Sequence, residues 1–509
     1  MSYIVQKLFK KIMSILTRSA FALVLVMLMN KGLALVKQSI LVSYFGATQE
    51  MDSFLVASDF MIQVGSVLFS ALSVTFLSTY ARYLNQEGKA AAADFFRNTL
   101  VLFIPLSAIV MLLAYAFSEY IVDILAIGFP PDQKLIAAGY IRLFSVIVIG
   151  ICISNISTAA LEGEKRFLPG KASNIIQSII VIAVCLYFKD NTPIEYIIYS
   201  VIAFYAVQNL LLLSLLWKND SFQIGKIKIG TPQLELVKVA VPVFISNALL
   251  QVNFMVDRAI ASSMEAGSIT VLSYGNYIFS SIHAIIVGSL CAILLSLFSN
   301  SIANNDSEKT DDHLLKGLST LALIMIPLTI FVFLFSDQVI DILFGYGKFN
   351  EAAVSRTGII VKCYVVGLIF AGVRDILVNL HYANTDTRRP FINSCAGVGS
   401  NICLSILLGT MIGLQGIAIA SAISYAITAL LSIASGKRYI GLLNIRRLIL
   451  NLTKVCIASL LGGLFIIWCP VIDNHGVLLA MTQKAAFYFT VTMLALKLMH
   501  YDFSLILKK

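Results

Sequence analysis

The chain is built from fourteen long runs of apolar residues separated by short polar segments. Each run supplies the ~20 mostly apolar residues that an α-helix needs to cross the hydrocarbon core of a bilayer. Only helices and closed barrels satisfy their backbone hydrogen bonds in lipid, and runs of this length favour helices. The pattern predicts an all-α, polytopic membrane protein with spans near residues 19–45, 53–82, 96–117, 136–161, 171–188, 194–217, 237–262, 270–302, 315–335, 355–380, 390–410, 414–435, 448–468 and 477–499.

Composition agrees with this pattern. Apolar residues make up 59% of the chain and charged residues 13%, against about 45–50% and about 25% in soluble domains. So few charges exclude a soluble multidomain protein, a disordered chain and a coiled coil. The net charge of +10 fits basic cytoplasmic loops facing anionic lipid, so no nucleic-acid partner is expected.

The loop charges alternate with the spans. Acidic residues dominate the loops after odd-numbered spans, and basic pairs such as Lys165–Arg166, Arg388–Arg389 and Arg446–Arg447 follow even-numbered spans. Since Lys and Arg mark the cytoplasmic side, both termini are predicted to be cytoplasmic. The basic N-terminal stretch that leads into the first span is read as part of a retained helix, without a cleavable signal.

The sequence contains no recognisable motif for enzyme or metal chemistry. No loop exceeds 25 residues, and no phosphate-binding loop, serine-hydrolase elbow or zinc-protease motif is present. The eight cysteines are scattered through apolar segments and none forms a CxxC pair. The prediction is therefore a protein that is not an enzyme, with no cofactor, no metal site and no disulfide framework.

An internal repeat divides the chain. Phe117–Leu125 (FSEYIVDIL) recurs 218 residues later as Phe335–Leu343 (FSDQVIDIL), with five of nine positions identical and Glu exchanged for Asp at a sixth. Two further matches lie near the same offset: Lys165–Pro169 with Thr387–Pro390, and Val36–Ile40 with Val256–Ile260. Three matches at one offset, in corresponding loops and spans, indicate two repeats.

The repeat predicts a transporter architecture. Its offset covers six spans, and an even number preserves orientation, so the repeats should be parallel. The predicted domains are a six-helix lobe at 1–218, a second at 219–436, and two extra helices at 437–509. Two such lobes favour alternating access around a midplane site over a channel.

Ionisable residues within the spans mark the predicted site, because a charge at the bilayer centre is costly. The candidates are Lys31, Lys37, Asp257, Arg258, Arg374 and Asp375. Four are basic, which favours a phosphate or pyrophosphate group and disfavours a cationic drug. Three alternatives stay open: Arg142 can snorkel to the interface, Arg374 and Asp375 can form a structural ion pair, and His283 can be a packing residue or a proton relay.

Several segments resemble the MurJ/MviN family of lipid II flippases, within the MOP exporter superfamily that also includes the Wzx-type polysaccharide flippases. They are Lys31–Ala47 with Asp52–Ala57, Pro242–Tyr277, Leu343–Phe349 and Tyr382–Pro390. The resemblance covers nearly the whole chain and implies the same fourteen-helix fold. Two family arginines fall at Gly65 and Tyr277, and Gln38 replaces a family acid. Those departures bear on the substrate, because lysine does not replace a bidentate arginine on a diphosphate.

The resemblance implies a flippase in the bacterial inner membrane. Its substrate would be a polyprenyl-diphosphate-linked saccharide, with the last two helices forming a groove for the lipid tail. The predicted substrate-binding residues are Lys31, Lys37, Gln38, Arg258 and Arg374, and the predicted coupling or gating residues are Asp52, Asp257 and Asp375. Expected partners are this glycan lipid and membrane lipids, with function as a monomer, near glycan polymerases.

Energy coupling and substrate leave alternatives. With no nucleotide site, the work must come from the membrane potential or from a sodium or proton gradient, for which Asp257 or Asp375 would bind the ion. Lipid II itself is one alternative substrate. A cation-coupled drug antiporter of the MATE type and a non-transporting scaffold of a glycan-assembly complex are the alternatives in function.

Overall fold

The computed structural model describes residues 18–189, 192–218, 230–440, 445–468 and 477–501. Regular structure in these ranges is helical, without strands, which confirms the predicted all-α class. Two lysines of the basic loop after the sixth predicted span, Lys226 and Lys228, lie outside the described residues, as do the two extreme termini. The chain divides into two compact units, Met1–Gln251 and Val252–Lys509. The predicted lobe boundaries at 218/219 and 436/437 stay predictions.

Eight helices lie wholly in the described part of the first unit. They are α1 Arg18–Phe45, α2 Gln49–Gln86, α3 Lys89–Ala116, the short α4 Ser118–Leu125, α5 Pro131–Phe144, α6 Ile147–Gly163, α7 Leu168–Phe188 and α8 Ile194–Trp217. The boundary between the units falls within α9, Thr231–Ser262.

The second unit continues the series. Its helices are α10 Ser268–Ala303, α11 Ser307–Leu334, the short α12 Ser336–Phe344, α13 Glu351–Val365, α14 Leu368–Ala383, α15 Arg388–Ile412, α16 Leu414–Gly436, α17 Ile445–Trp468 and α18 Val477–Leu498. Apolar side chains from α11, α17 and α18 form a buried cluster around Val455 and Leu496. The Tyr488 hydroxyl donates to the Pro327 carbonyl at 3.0 Å, so the last helix is also tied to α11 by a hydrogen bond.

The fourteen predicted spans correspond to long helical segments, two of which are broken in the middle. Eleven described segments are long and apolar enough to cross a membrane. The other three are α9, the broken pair α13–α14, and α18. Of these, α14 carries both Arg374 and Asp375. The bilayer tolerates such helices where the polar groups face protein or a water-filled space.

Corresponding elements recur in the two units, as the repeated sequence predicts. Short helices α4 and α12 are the repeated segment itself. The break between α5 and α6 at residues 145–146 matches the break between α13 and α14 at 366–367. Pro105 lies inside α3 and Pro327 inside α11. The offset found in the sequence is therefore an offset between whole structural elements.

Local sequence explains several helix starts. Thr48 accepts a hydrogen bond from the Met51 N–H at 3.3 Å and caps α2, which follows the left-handed Gly46. Asn350 accepts from the Ala353 N–H at 2.9 Å and caps α13. Both caps satisfy amide groups that a helix leaves free in its first turn.

Candidate functional site

The first unit carries its charged groups at membrane depth on α1 and α2. Lys37 and Gln38 are half-buried, whereas Lys31 is exposed. The Asp59 carboxylate on α2 attracts the positive charge of Lys37 electrostatically. An opposite charge lowers the cost of keeping an ammonium in a medium of low polarity. Asp59 thus offsets part of the cost of burying the Lys37 charge.

Asp59 is a functional candidate that the sequence analysis missed. A carboxylate within an apolar run was the signal that could have found it, by the argument already applied to Lys37. Its sequence distance from Lys37 gives no hint of the interaction, which depends on where the fold places the two side chains.

Asp52 lies in the first turn of α2 and is only 2% exposed. The free N–H groups and dipole at a helix start stabilise a carboxylate there. This position accounts for a buried acid at the start of a span. The predicted gating role of Asp52 stays a prediction.

Gly65 and Tyr277 occupy the two positions at which the MurJ/MviN family, by the resemblance above, has arginine. A Cβ atom added at Gly65 would lie 2.6 Å from Cδ1 of Ile151, so α2 and α6 pack closely at this glycine. An arginine there would require this contact to open. Tyr277 is half-buried on α10.

Each unit has an ion pair between its short helix and the first half of its broken helix. Arg142 Nη2 lies 2.6 Å from Glu119 Oε1, and Arg142 Nε donates to Ser118 Oγ at 2.8 Å. In the second unit, Lys362 Nζ lies 3.3 Å from Asp337 Oδ2. Glu119 and Asp337 are the acids exchanged within the repeated segment. The acidic partner of this ion pair is therefore present in both repeats. Arg142 is bound by side chains of α4.

Asp257 on α9 is 7% exposed and is bound by α15. Ser405 Oγ lies 2.7 Å from Asp257 Oδ1 and 3.2 Å from Asn401 Oδ1, and Asn401 Nδ2 donates to Ser421 Oγ at 3.1 Å. The carboxylate thus heads a polar chain that runs from α9 through α15 to α16. Neighbouring Arg258 is half-buried.

A second polar group in this unit, called here the charge cluster, consists of His283, Arg374, Asp375, Phe279 and Tyr425. Arg374 Nε and Nη2 lie 2.8 and 2.7 Å from Asp375 Oδ1. His283 Nε2 lies 3.1 Å from the other carboxylate oxygen, Oδ2. The predicted structural pairing of Arg374 with Asp375 is present, and the histidine joins it from α10.

Aromatic rings close the charge cluster on its other side. The Arg374 guanidinium lies over the Tyr425 ring, 5.2 Å from its centroid. Phe279 stacks between Tyr425, at 5.3 Å, and His283, at 6.0 Å. Cations favour the faces of such rings.

A loop outside the spans anchors the second unit on the side predicted to be cytoplasmic. Asp386 follows α14, and its Oδ2 lies 2.8 Å from Nδ1 of the fully buried His381 and is also bound by Arg438. Burial would raise the pKa of Asp386, but the hydrogen bonds from His381 and the Arg389 N–H, with the Arg438 charge, outweigh it and lower the pKa to about 2. Asp386 therefore stays ionised and holds the loop.

Matching arginines secure the corresponding loops of both units. Arg166 Nη1 donates to the Leu215 carbonyl at 3.3 Å, and Arg389 Nη1 donates to the Ser435 carbonyl at 3.1 Å. Both acceptors lie near the C-terminal end of the sixth long helix of the repeat, where carbonyls are otherwise free. Two of the basic residues that mark this side thus have structural contacts.

The predicted site residues fall into two sets, one in each unit. Lys31, Lys37, Gln38 and Asp52 lie in the first, and Asp257, Arg258, Arg374 and Asp375 lie in the second. Within the second set the structure brings Arg374 and Asp375 into contact. No group of three or more His, Cys, Asp or Glu residues in the described ranges is placed to hold a metal ion.

Comparison with known proteins connects this arrangement to a family. The model of the family described as lipid II flippase MurJ matches residues 41–486. A relative from Thermotoga maritima named probable lipid II flippase MurJ is 24% identical over 392 residues, covering 77% of this chain and 79% of the relative. One of the same name from Treponema pallidum is 25% identical over 421 residues, covering 80% and 78%.

Solved structures share the fold. A structure described as lipid II flippase MurJ, inward closed conformation, matches with a TM-score of 0.79 and 23% identity, covering 94% of this chain and 99% of that one. An inward-facing MATE transporter of the MOP superfamily matches with a TM-score of 0.67 and 16% identity, covering 80% and 94%. With a family model that matches most of its length, the chain belongs to the MurJ lipid II flippase family, and it is a multi-pass membrane transporter and not an enzyme.

Proposed function

We propose that this protein moves a polyprenyl-diphosphate-linked saccharide from the cytoplasmic to the outer leaflet of the bacterial inner membrane. The observation that carries the proposal is the match of residues 41–486 to the family model described as lipid II flippase MurJ. Basic residues at membrane depth support it, because a diphosphate requires cationic donors in a medium of low polarity. Both termini are proposed to face the cytoplasm.

The substrate-binding residues proposed are Lys31, Lys37, Gln38, Arg258 and Arg374. Lys37 and Arg374 each have an acidic neighbour, Asp59 and Asp375. A bound diphosphate would compete with these carboxylates for the cations, so the acids keep the charges neutralised when no substrate is present. Asp52, Asp257 and Asp375 are proposed to contribute to coupling or gating.

Lipid II is the substrate named for the relatives, and we include it in the proposed class. Gly65 and Tyr277 replace two arginines of the resembling family, which favours a different set of contacts to the diphosphate or the saccharide. A scaffold role has no observation in its favour. A MATE-type drug exporter is disfavoured because the MATE likeness, at 16% identity, is one of fold alone.

The membrane potential is the proposed energy source. A diphosphate carries about two negative charges, and each elementary charge moved through 100 mV is worth ~2.3 kcal/mol. Outward movement from a negative interior is therefore helped by roughly 4.6 kcal/mol at that potential. Return of the unloaded protein, with an excess of basic groups, is helped in the opposite direction.

Transport by the full-length protein in proteoliposomes tests the proposal. Valinomycin and a potassium gradient would set the potential without a sodium or proton gradient. Lipid II and a second undecaprenyl-diphosphate-linked saccharide would each be followed by their accessibility to an impermeant sugar-modifying enzyme. We expect flipping that speeds up when the substrate's starting side is negative, with protein-free vesicles as the control.

The outcomes separate the parts of the proposal. No flipping of either lipid under any gradient would reject the flippase function. Flipping that ignores the potential but follows a sodium or proton gradient would reject the energy source alone. Flipping of only one lipid would define the substrate.

A further inference from the structure

His283 is an ionisable residue of a spanning helix that has no role in the transport step proposed above. It lies on α10, and its ring is held on one side by Phe279 and on the other by the Asp375 carboxylate. The side chains of His283 and Asp375 are 22% and 28% exposed. Both side chains are thus mostly enclosed by protein.

The carboxylate of Asp375 divides its two oxygens between two partners. Both guanidinium contacts from Arg374, at 2.7 and 2.8 Å, go to Oδ1. Oδ2 is left to His283 Nε2, at 3.1 Å. The Nε2 atom is buried and, at this distance, is not aligned for a hydrogen bond of good geometry.

The groups around the charge cluster can stabilise a positive charge on His283 as well as the charge of Arg374. Arg374 lies on the Tyr425 face, and Phe279 stacks between Tyr425 and the imidazole. An imidazolium at His283 would therefore have an aromatic face on one side and a carboxylate oxygen on the other, two groups that attract cations. A neutral packing histidine needs neither.

We infer that His283 and Asp375 form a reversible proton-binding site whose occupancy sets the net charge of the charge cluster. Without the proton, Arg374 and Asp375 cancel; with it, the charge cluster carries one net positive charge. The proton adds to the free imidazole nitrogen of His283, and Asp375 stays ionised as the counter-ion. Its use in transport rests on the proposed function, whereas proton binding does not.

Other titratable groups around the charge cluster set the field in which the proton binds. Arg374 and Asp375 come from α14, Tyr425 from α16, and Cys291 from α10 itself. Tyr364 on α13 contacts Phe279 at 6.0 Å, and Asp257 and Arg258 on α9 act on Tyr364. On α11, the Leu321 side chain lies against Gly372 of α14. The ionisable groups of α11 lie in its first turns, up to Lys316. Among these residue types, histidine is the one whose free side chain changes charge near neutral pH.

A consequence for transport follows from the charge. The potential acts on whatever charge moves with the protein, so one added positive charge increases the work that the potential does on that movement. Proton binding would thus make the return of the unloaded protein more sensitive to the potential. At a fixed potential, the transport rate should then depend on pH across the titration of His283.

Histidine NMR of the full-length protein in nanodiscs tests the site without any transport assay. The chain has five histidines, and selective ¹³C labelling would follow their ring signals from pH 5 to 8.5. The His283 signal is identified by its loss in His283→Asn, or in His283→Gln if the first variant does not fold. We expect it to titrate in this range.

Two carboxylate variants examine the geometry. Asp375→Asn removes the counter-ion of the imidazolium, and the His283 ring signals should then show less of the protonated form at the same pH. Asp337→Asn, which removes an acid paired with Lys362 in the same unit, should leave the titration midpoint unchanged. A wild-type His283 signal that does not titrate would overturn the site even if Asp375→Asn failed to fold. So would a midpoint that Asp375→Asn leaves in place.

Discussion

Single charged residues within the predicted spans are unusual for membrane-spanning helices. A lysine at the centre of a spanning helix costs ~2.5–3.5 kcal/mol on insertion scales, and Lys37 lies near the centre of its predicted span. Its electrostatic interaction with Asp59 reduces this cost without removing it. A costly charge that is only partly compensated is expected where a substrate supplies the rest of the compensation.

Replacing Lys37 with alanine should lower flipping at least about tenfold, because a charge-assisted contact to phosphate is worth ~1.5–3 kcal/mol. Expression should not fall, since the substitution removes a charge from the apolar region. Complementation and proteoliposome flipping would measure both effects. Lys134→Ala is the control, since Lys134, at the start of α5, pairs with Asp123 of α4 at 2.8 Å, away from the proposed site residues. Normal transport by Lys37→Ala would remove Lys37 from the proposed site.

The sequence alone could identify the buried charges but not their partners. Lys37, Asp257 and Arg374 are visible because ionisable groups within apolar runs are rare. Ser405 is 148 residues from Asp257, and its hydroxyl is unremarkable in sequence, so the contact between them depends on packing. The pairing of adjacent Arg374 with Asp375 was the one contact that the sequence put within reach.

At the scale of elements, close helix packing depends on a few glycines. At Gly416, near the start of α16, an added Cβ would lie 2.1 Å from the Leu408 carbonyl oxygen of α15. The obstruction is backbone, which cannot move away as a side-chain end can. The tight turn between α15 and α16, at the left-handed Gly413, fixes this approach.

Gly416→Ala should therefore destabilise the protein by about 1–3 kcal/mol, the usual cost of overpacking. Gly399→Ala is the matched control on α15, where an added Cβ meets nothing within 4 Å. Because alanine favours helix more than glycine does, the control should be neutral or stabilising. Thermal unfolding in one detergent would compare them. Equal unfolding temperatures for the two variants would contradict the packing argument.

Asp386→Asn should loosen the loop between α14 and α15 and lower the unfolding temperature by a few degrees. The pKa of Asp386, lowered to about 2 in the folded protein, is below the ~3.9 of a free aspartate. Its contribution to stability is thus fully present above about pH 4 and is lost as the pH falls towards 2. Scans at pH 7 and pH 5 should give the same difference between wild type and variant. A difference already absent at pH 5 would mean that the carboxylate is not held as described.

Across the whole molecule, the sequence repeat predicted more of the architecture than any single motif. Periodic apolar runs gave the number of long helical segments because the bilayer fixes helix length. The offset near 220 residues predicted the matching elements in the two units. It did not predict the broken helices at 145–146 and 366–367, because the backbone turns there without a proline and within an unbroken apolar run.

The proposed orientation can be measured with single cysteines introduced after replacement of the native ones. Tyr120, on α4 and 71% exposed, is predicted to face outward, and Tyr120→Cys should react with an impermeant thiol reagent in intact cells. Asn219→Cys, which lies outside the described residues, should react only after permeabilisation. Labelling of Asn219→Cys in intact cells would invert the assigned topology, since positive loops are expected inside.

The close approach of α2 and α6 at Gly65 also couples residue 65 to residue 151. A larger residue at 65 would require the Ile151 side chain to shift, because its Cδ1 lies 2.6 Å from the place of an added Cβ. A smaller residue at 151 would remove this contact, but beside glycine it would leave a cavity that costs stability. A gain of side-chain volume at 65 is therefore best tolerated together with a loss of volume at 151.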